Sequence, residues 1–247
     1  MSRTVRLLIA FQGTRYDGWQ SQRTGRTLQE LFEKHLARIL KEKVDLISSS
    51  RTDSGVHARG LVAHFRTKAG LPDAKIKAAL NYYLPQDVVT LSAKTVSAKF
   101  HARYSAKSKT YEYLIWNNRT RPVYDLAPYY LWVPAHLNLA RMRKASKYLV
   151  GKHDFSAFRD SGDDERNPVR TVYSIQIRKE GAKVSIRLRA DGFLRHMVRV
   201  IVGTLLDAGR GKRAPEDVQA ALHSKDRKLA GPTAKPHALT LLKVHYA

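Results

Sequence analysis

The sequence predicts an α+β fold of two related, similar-sized halves, in which antiparallel sheets are flanked by helices. Three observations predict it. Short stretches that alternate apolar and polar residues recur along the chain, interspersed with a few segments of helical periodicity. Their order does not repeat as strand, helix, strand, which a parallel winding would require. A polar, basic stretch from Lys99 to Lys109 separates the 247 residues into halves, each long enough for a core.

The elements follow in order. Val5 to Phe11 reads as a strand. Thr27 to Lys41 reads as a helix, because Leu28, Leu31, Phe32, Leu36, Ile39 and Leu40 share a face. Thr27 and Glu30 give it a capping-box pattern. Val44 to Ser49 and Leu61 to Arg66 are expected strands on either side of an Arg51-Thr52-Asp53-Ser54-Gly55 turn. Pro72 to Leu84 is a second helix, and Val88 to Leu91 a strand. Lys109 to Trp116 alternates, with Tyr111, Tyr113 and Ile115 on one face. Leu139 to Val150 is helical. Thr171 to Arg178 and Lys183 to Ala190 form the clearest hairpin pattern, with Glu180-Gly181 in the turn. In it Tyr173, Ile175 and Ile177 are expected to face one way, as are Val184, Ile186 and Leu188. Phe193 to Ala208 reads as a long helix ended by Gly209, with Arg195 and Arg199 four apart upon it. A short helix follows Pro215, and Leu239 to Tyr246 closes as a strand. The expected division is residues 1–104 and residues 105–247.

Composition narrows the function. No cysteine is present, which removes disulfides, thiolate metal sites and thiol nucleophiles. Forty-five Lys and Arg against 21 Asp and Glu give a formal charge of +24. Such an excess opposes compaction by self-repulsion and points to a polyanionic partner. Lacking a lysine-rich amphipathic helix with an aromatic face, the chain fits nucleic acid better than a membrane. No apolar run approaches the ~20 residues of a membrane span. Val5 to Phe11 lacks the features of a signal peptide, so the cytoplasm is the expected compartment.

Several motifs have plain explanations. Gly209-Arg210-Gly211 with Ala214 has the spacing of a dinucleotide fingerprint, but it follows a helix where the fingerprint must follow a strand. No nucleotide cofactor is expected. His153-Asp154 has no third ligand at helical spacing, and Asp163-Asp164-Glu165 sits in a polar loop, so no metal is expected. Asp53 ahead of Ser54-Gly55 suits a turn former. Yet Arg51, His57 and Arg59 surround that single acid in sequence, and cations hold a carboxylate ionised. An ionised carboxylate is the state required of a nucleophile, and equally that of a structural ion pair. Arg195 and Arg199 read either as a solvated stripe or as a guanidinium able to hold a carboxylate or phosphate.

Taken together, these segments resemble the tRNA pseudouridine synthase A (TruA) family. The matching stretches include Tyr16-Asp17-Gly18-Trp19-Gln20, Arg51-Thr52-Asp53-Ser54-Gly55-Val56-His57-Ala58 and Phe100-His101-Ala102-Arg103. They continue with Lys109-Thr110-Tyr111-Glu112-Tyr113, Gly151 to Phe158, Arg170-Thr171-Val172, and Gly192-Phe193-Leu194 with Met197-Val198-Arg199. The series runs in order over nearly the whole chain. Ser50 and Ala238 depart from it, since the family usually has glycine at both positions.

The resemblance implies two halves joined across a basic catalytic cleft, and a homodimer acting on tRNA. It implies an isomerase for uridines 38, 39 and 40 of the anticodon stem-loop, needing no cofactor. Asp53 would be the nucleophile and Arg199 its cationic partner. Arg51 would hold the everted nucleotide and contact the backbone. Tyr111 would stack on the uracil and could help remove a proton. Arg59, His101, Arg103, Lys107, Lys109 and Arg195 would grip RNA. The competing reading is a non-catalytic, structural RNA-binding protein; a metal-dependent nuclease on Asp53, His57 and His64 is a second.

Overall fold

A computed structural model describes residues 2–22, 25–162 and 165–247, apart from the side chain of Asp125. Asp163 and Asp164 of the acidic run lie outside the described residues. Along the chain run β1 (Arg3–Phe11), α1 (Leu28–Leu40), β2 (Ile47–Ser48), β3 (His57–Thr67), α2 (Asp73–Tyr83), β4 (Val88–Val96) and β5 (Ser108–Trp116). Then follow β6 (Leu131–Trp132), α3 (Leu139–Lys147), β7 (Gly151–Asp154), β8 (Val169–Glu180), β9 (Lys183–Ala190), α4 (Met197–Gly209), α5 (Pro215–Ser224) and β10 (Leu239–His245). The mixed α+β class expected from the pattern is the class observed. Among the described residues no helix is long and apolar enough to cross a membrane.

Two compact units form, residues 1–107 with 240–247, and residues 108–239. The final strand therefore belongs to the first unit, where a single boundary after residue 104 would put it in the second. Thr240 and Leu241 pair in parallel with His57 and Ala58. The Tyr246 hydroxyl donates to the Ala102 carbonyl at 2.7 Å. A short apolar strand carries no local signal of which sheet it will join, so only long-range pairing could decide this.

In the first unit the strands lie in the order β4-β1-β3-β10, with β2 beside β3. β1 is antiparallel to both neighbours. Its alternation buries Val5, Leu7, Ile9 and Phe11, and α1 buries Leu28, Phe32, Leu36 and Leu40. Trp19 links the two elements, with its ring 6.4 Å from Phe11 and 6.1 Å from Phe32. Burying a side chain of this size contributes roughly 2–3 kcal/mol. The strand expected from Val44 shrinks to Ile47–Ser48, because the Leu46 N–H donates to the Glu33 carboxylate at 2.9 Å instead of entering a ladder. Only half of the capping box at Thr27 forms: the Thr27 hydroxyl makes no capping bond, while Glu30 accepts from the Thr27 backbone and from the Ser21 hydroxyl, the latter at 2.6 Å.

In the second unit the order is β5-β9-β8-β7, with β6 beside β5. Tyr111, Tyr113 and Ile115 are buried opposite Leu188, Ile186 and Val184 of β9. Buried Glu112 stands opposite Arg187 and pairs with it at 2.6 Å, which satisfies the carboxylate. The expected single face on β8 is interrupted. Val172 pairs with Ala190 and Ser174 with Arg189, so Tyr173 is the extra residue of a bulge. The bulge shifts the alternation: Val172 and Ile177 are buried while Tyr173 is half exposed. α3 packs against α4 and α5. Gly209 remains helical, and the left-handed residue that closes α4 is Gly211, at φ +76°.

Candidate active-site elements

The Asp53 loop is held by the segment just before α1. The Trp19 N–H donates to the Thr52 carbonyl at 3.1 Å, and the Gly55 N–H and Ser54 hydroxyl donate to the Tyr16 carbonyl at 3.3 and 3.2 Å. Gly18 sits at φ +94°, and a Cβ there would lie 2.5 Å from the Thr52 carbonyl oxygen. Only glycine accepts both the dihedral and the approach. The Gly18 and Trp19 carbonyls accept from Leu28 and Gln29 N–H, closing the start of α1 that Thr27 leaves uncapped. One four-residue segment thus ties the Asp53 loop to a buried helix. The Tyr16 hydroxyl, donating to Asp87 at 2.7 Å, fixes its other side.

Asp53 is half-buried in this loop, and Arg51 and Arg59 are exposed. His57 is buried, and its Nδ1 accepts from the Gly13 N–H at 3.0 Å. No cluster of three metal-ligating side chains occurs among the described residues. The Ser50 and Thr52 hydroxyls are buried without a hydrogen-bond partner, one on each side of Arg51. Buried hydroxyls normally find partners, so the pair gives this loop spare polar capacity. Neither Ser50 nor Ala238 has a positive φ, so a side chain at either position brings no backbone strain.

His101 and Arg103 lie in the turn after β4, and Lys107 ends the first of the two chain segments of that unit; Arg103 and Lys107 are exposed. His101 is drawn into a ring cluster, 4.9 Å from His64 and 4.3 Å from Tyr104. Burial lowers the His64 pKa, as does the nearby His101. The His64 Nδ1 accepts from the Ala102 N–H at 3.1 Å. Tyr104 was not singled out from sequence, although an aromatic residue next to an arginine was its available signal.

In the second unit, Lys109 and Tyr111 lie on β5, and the Tyr111 ring meets Phe193 edge-on at 5.2 Å. Arg199 stands in the first turn of α4. Its Nε donates to the Ala234 carbonyl at 2.8 Å, and the Ala234 N–H returns to the Arg199 carbonyl at 3.1 Å. The segment carrying Ala234 can lie this close because α4 presents Gly203, where a Cβ would be 1.7 Å from the Pro232 carbonyl oxygen. Buried Tyr113 donates to the next carbonyl, Lys235, at 2.8 Å. Burial raises the Tyr113 pKa, and the Arg199 charge opposes the shift.

Arg195 does not share that helix. α4 starts at Met197, and His196 before it is left-handed at φ +59°, which ends helical geometry. Arg195 instead pairs with Asp160 at 3.1 Å, an acid that also meets His196 at 3.4 Å. The stripe of two arginines therefore splits: Arg199 is set by a helix turn and Arg195 by an ion pair.

A family model described as tRNA pseudouridine synthase matches residues 7–105 and 145–247. A tRNA pseudouridine synthase A 2 of Clostridium perfringens is 45% identical over 99% of this chain and 100% of its own length. A tRNA pseudouridine synthase A of a Thermoanaerobacter species is 44% identical with the same coverage. Among solved structures, an archaeal box H/ACA sRNP Nop10-Cbf5 complex aligns with 94% of this chain and 60% of the matched chain, at 12% identity and TM-score 0.39.

Proposed function

Because the chain belongs to the tRNA pseudouridine synthase family, whose members are isomerases that convert uridine to pseudouridine, we propose that it modifies uridines 38, 39 and 40 of the tRNA anticodon stem-loop as a cytoplasmic homodimer. The reaction breaks the N1–C1′ bond, turns the uracil, and joins C5 to C1′. Atoms are only rearranged, so it requires no redox cofactor or group donor.

A stacked uridine hides its glycosidic bond, so the nucleotide is turned out of the stack at a cost of a few kcal/mol. Asp53 is the nucleophile on the everted nucleotide. Arg51, exposed on the same loop, holds the everted state and contacts the backbone. Arg199 is the cationic partner of Asp53. Tyr111 stacks on the uracil, and its hydroxyl serves the C5 proton. Arg59, Arg103, Lys107, Lys109 and Arg195 supply cations for the phosphates, and His101 also contacts the RNA.

The observation that carries this reading is the Asp53 loop. A single carboxylate stands on a short turn immobilised from both sides by the Tyr16–Trp19 segment. A protein that merely coats RNA has no use for an acid held this way amid a +24 chain. The test is to incubate an unmodified tRNA transcript with the protein, digest it, and map pseudouridine. Product at positions 38–40 is expected. Tight binding without product would favour the non-catalytic alternative.

A further inference from the structure

Outside the Asp53 loop, the turn from His101 to Ser105 holds an exposed ring in a fixed pose. The Ser105 N–H donates to the His101 carbonyl at 2.9 Å, and the Ser105 hydroxyl accepts from the His101 N–H at 3.1 Å. His101 Nδ1 accepts from the N–H groups of Arg103 and Tyr104, both at 3.2 Å. The Tyr104 ring lies on the His101 ring at 4.3 Å with the planes 29° apart. His101 is backed in turn by His64 at 4.9 Å. One face of the tyrosine is thus supported, yet the residue is 76% exposed. The Arg103 guanidinium lies over the same ring, 5.7 Å from its centroid.

A large ring left in water on a turn this tightly bonded is not serving a core. Its loss of freedom is already met by the turn, so a planar partner would stack on it at little further entropic cost. A cation held over a ring that is still 76% exposed suits a partner that couples planar groups to phosphates. We propose that Tyr104 is a base-stacking residue for RNA, with His101 as the ring beneath it and Arg103 on the adjacent phosphate. This rests on the reading of the chain as a tRNA-modifying enzyme. It also changes the part played by His101, whose Nδ1 is committed to backbone donors, from phosphate ligand to supporting ring.

His64, which backs the turn, stands opposite Arg6 of β1, whereas the Asp53 loop packs on Tyr16 and Gly18 beyond Phe11. The strand from Arg6 to Phe11 spans about 16 Å. With the two turns associated with different ends of β1, Tyr104 is assigned a nucleotide other than the uridine served by Asp53.

The experiment is equilibrium binding of an unmodified tRNA transcript over a range of salt, with thermal melting and native mass as controls. Tyr104→Ala should bind roughly tenfold more weakly, with an unchanged slope of log affinity against log salt. Tyr104→Leu should match it, since a leucine has volume but no π-face, and Tyr104→Phe should restore affinity. Arg103→Ala should instead shallow the slope by about one. Wild-type affinity in Tyr104→Ala, rescue by leucine as good as by phenylalanine, or conversion of Tyr104→Ala from dimer to monomer would each overturn the proposal. Because binding is the readout, failure of the wild-type protein to make pseudouridine would count against the enzymatic reading alone.

Discussion

Gly18 lies against Thr52 so closely that a methyl group on it would sit 2.5 Å from the Thr52 carbonyl oxygen. The contact places the backbone of one segment directly on the loop that carries Asp53. Gly18→Ala must shift that loop and also adopt an unfavourable positive φ. We expect a stability loss of about 1–3 kcal/mol, seen in urea unfolding. Turnover should fall more than tenfold in the variant that still folds. Near-normal turnover would show that Asp53 is not positioned through this contact.

Asp53→Asn keeps the size of the side chain and removes its charge. Pseudouridine formation should drop by about a thousandfold or more, while tRNA affinity stays close to that of the wild type. Substantial residual turnover would take the nucleophile role from Asp53.

Arg199→Met deletes both the charge and the Nε bond to the Ala234 carbonyl. The maximal rate should fall roughly a hundredfold or more, with a smaller change in tRNA affinity. Arg199→Lys keeps the charge but has no planar fork, so partial activity is expected. A methionine variant that turns over normally would remove Arg199 as the partner of the aspartate.

Tyr111→Phe separates ring from hydroxyl. If the hydroxyl serves the C5 proton, tritium release from tRNA carrying 5-tritiated uridine should slow while binding is retained. Release at the wild-type rate would leave Tyr111 with stacking alone.

His64 gives a pH dependence with a definite sign. Burial is the main cause of its lowered pKa, His101 and Arg66 add to the shift, and a hydrogen bond to the Ile47 backbone opposes it. The folded value thus lies below the ordinary 6.5, and the unfolded chain takes up the proton first as pH falls. Its contribution to stability is complete above about 6.5 and declines as pH drops toward the folded value. Protonation of Nδ1 would also end the bond from Ala102. Urea midpoints at pH 8, 6 and 5 should decline, and His64→Asn should flatten the decline. An identical pH profile in that variant would exclude His64 as the source.

Some of this was legible locally and some was not. The alternation at Tyr111, Tyr113 and Ile115 predicted their burial, because period two is a property of the strand itself. The same rule failed at Tyr173, since a bulge arises from pairing with β9 and leaves no mark in β8 alone. Helical spacing put Arg195 beside Arg199, but a left-handed His196 separates them, and its cause is the anchoring of the turn before α4. Tyr104 and His101 were neighbours in sequence, yet only the closed turn made one the support of the other.

The sequence by itself determined the α+β class, the positive charge, the absence of thiol chemistry and the motif around Asp53, because composition and local periodicity are written residue by residue. Tertiary structure alone decided that β10 rejoins the first unit, that Gly18 and Trp19 hold the Asp53 loop, and that Ala234 fixes Arg199. Each of these depends on backbone groups meeting across long stretches of chain. A carbonyl or N–H is present at almost every residue, so its choice of partner is set by packing and not by the identity of the side chain.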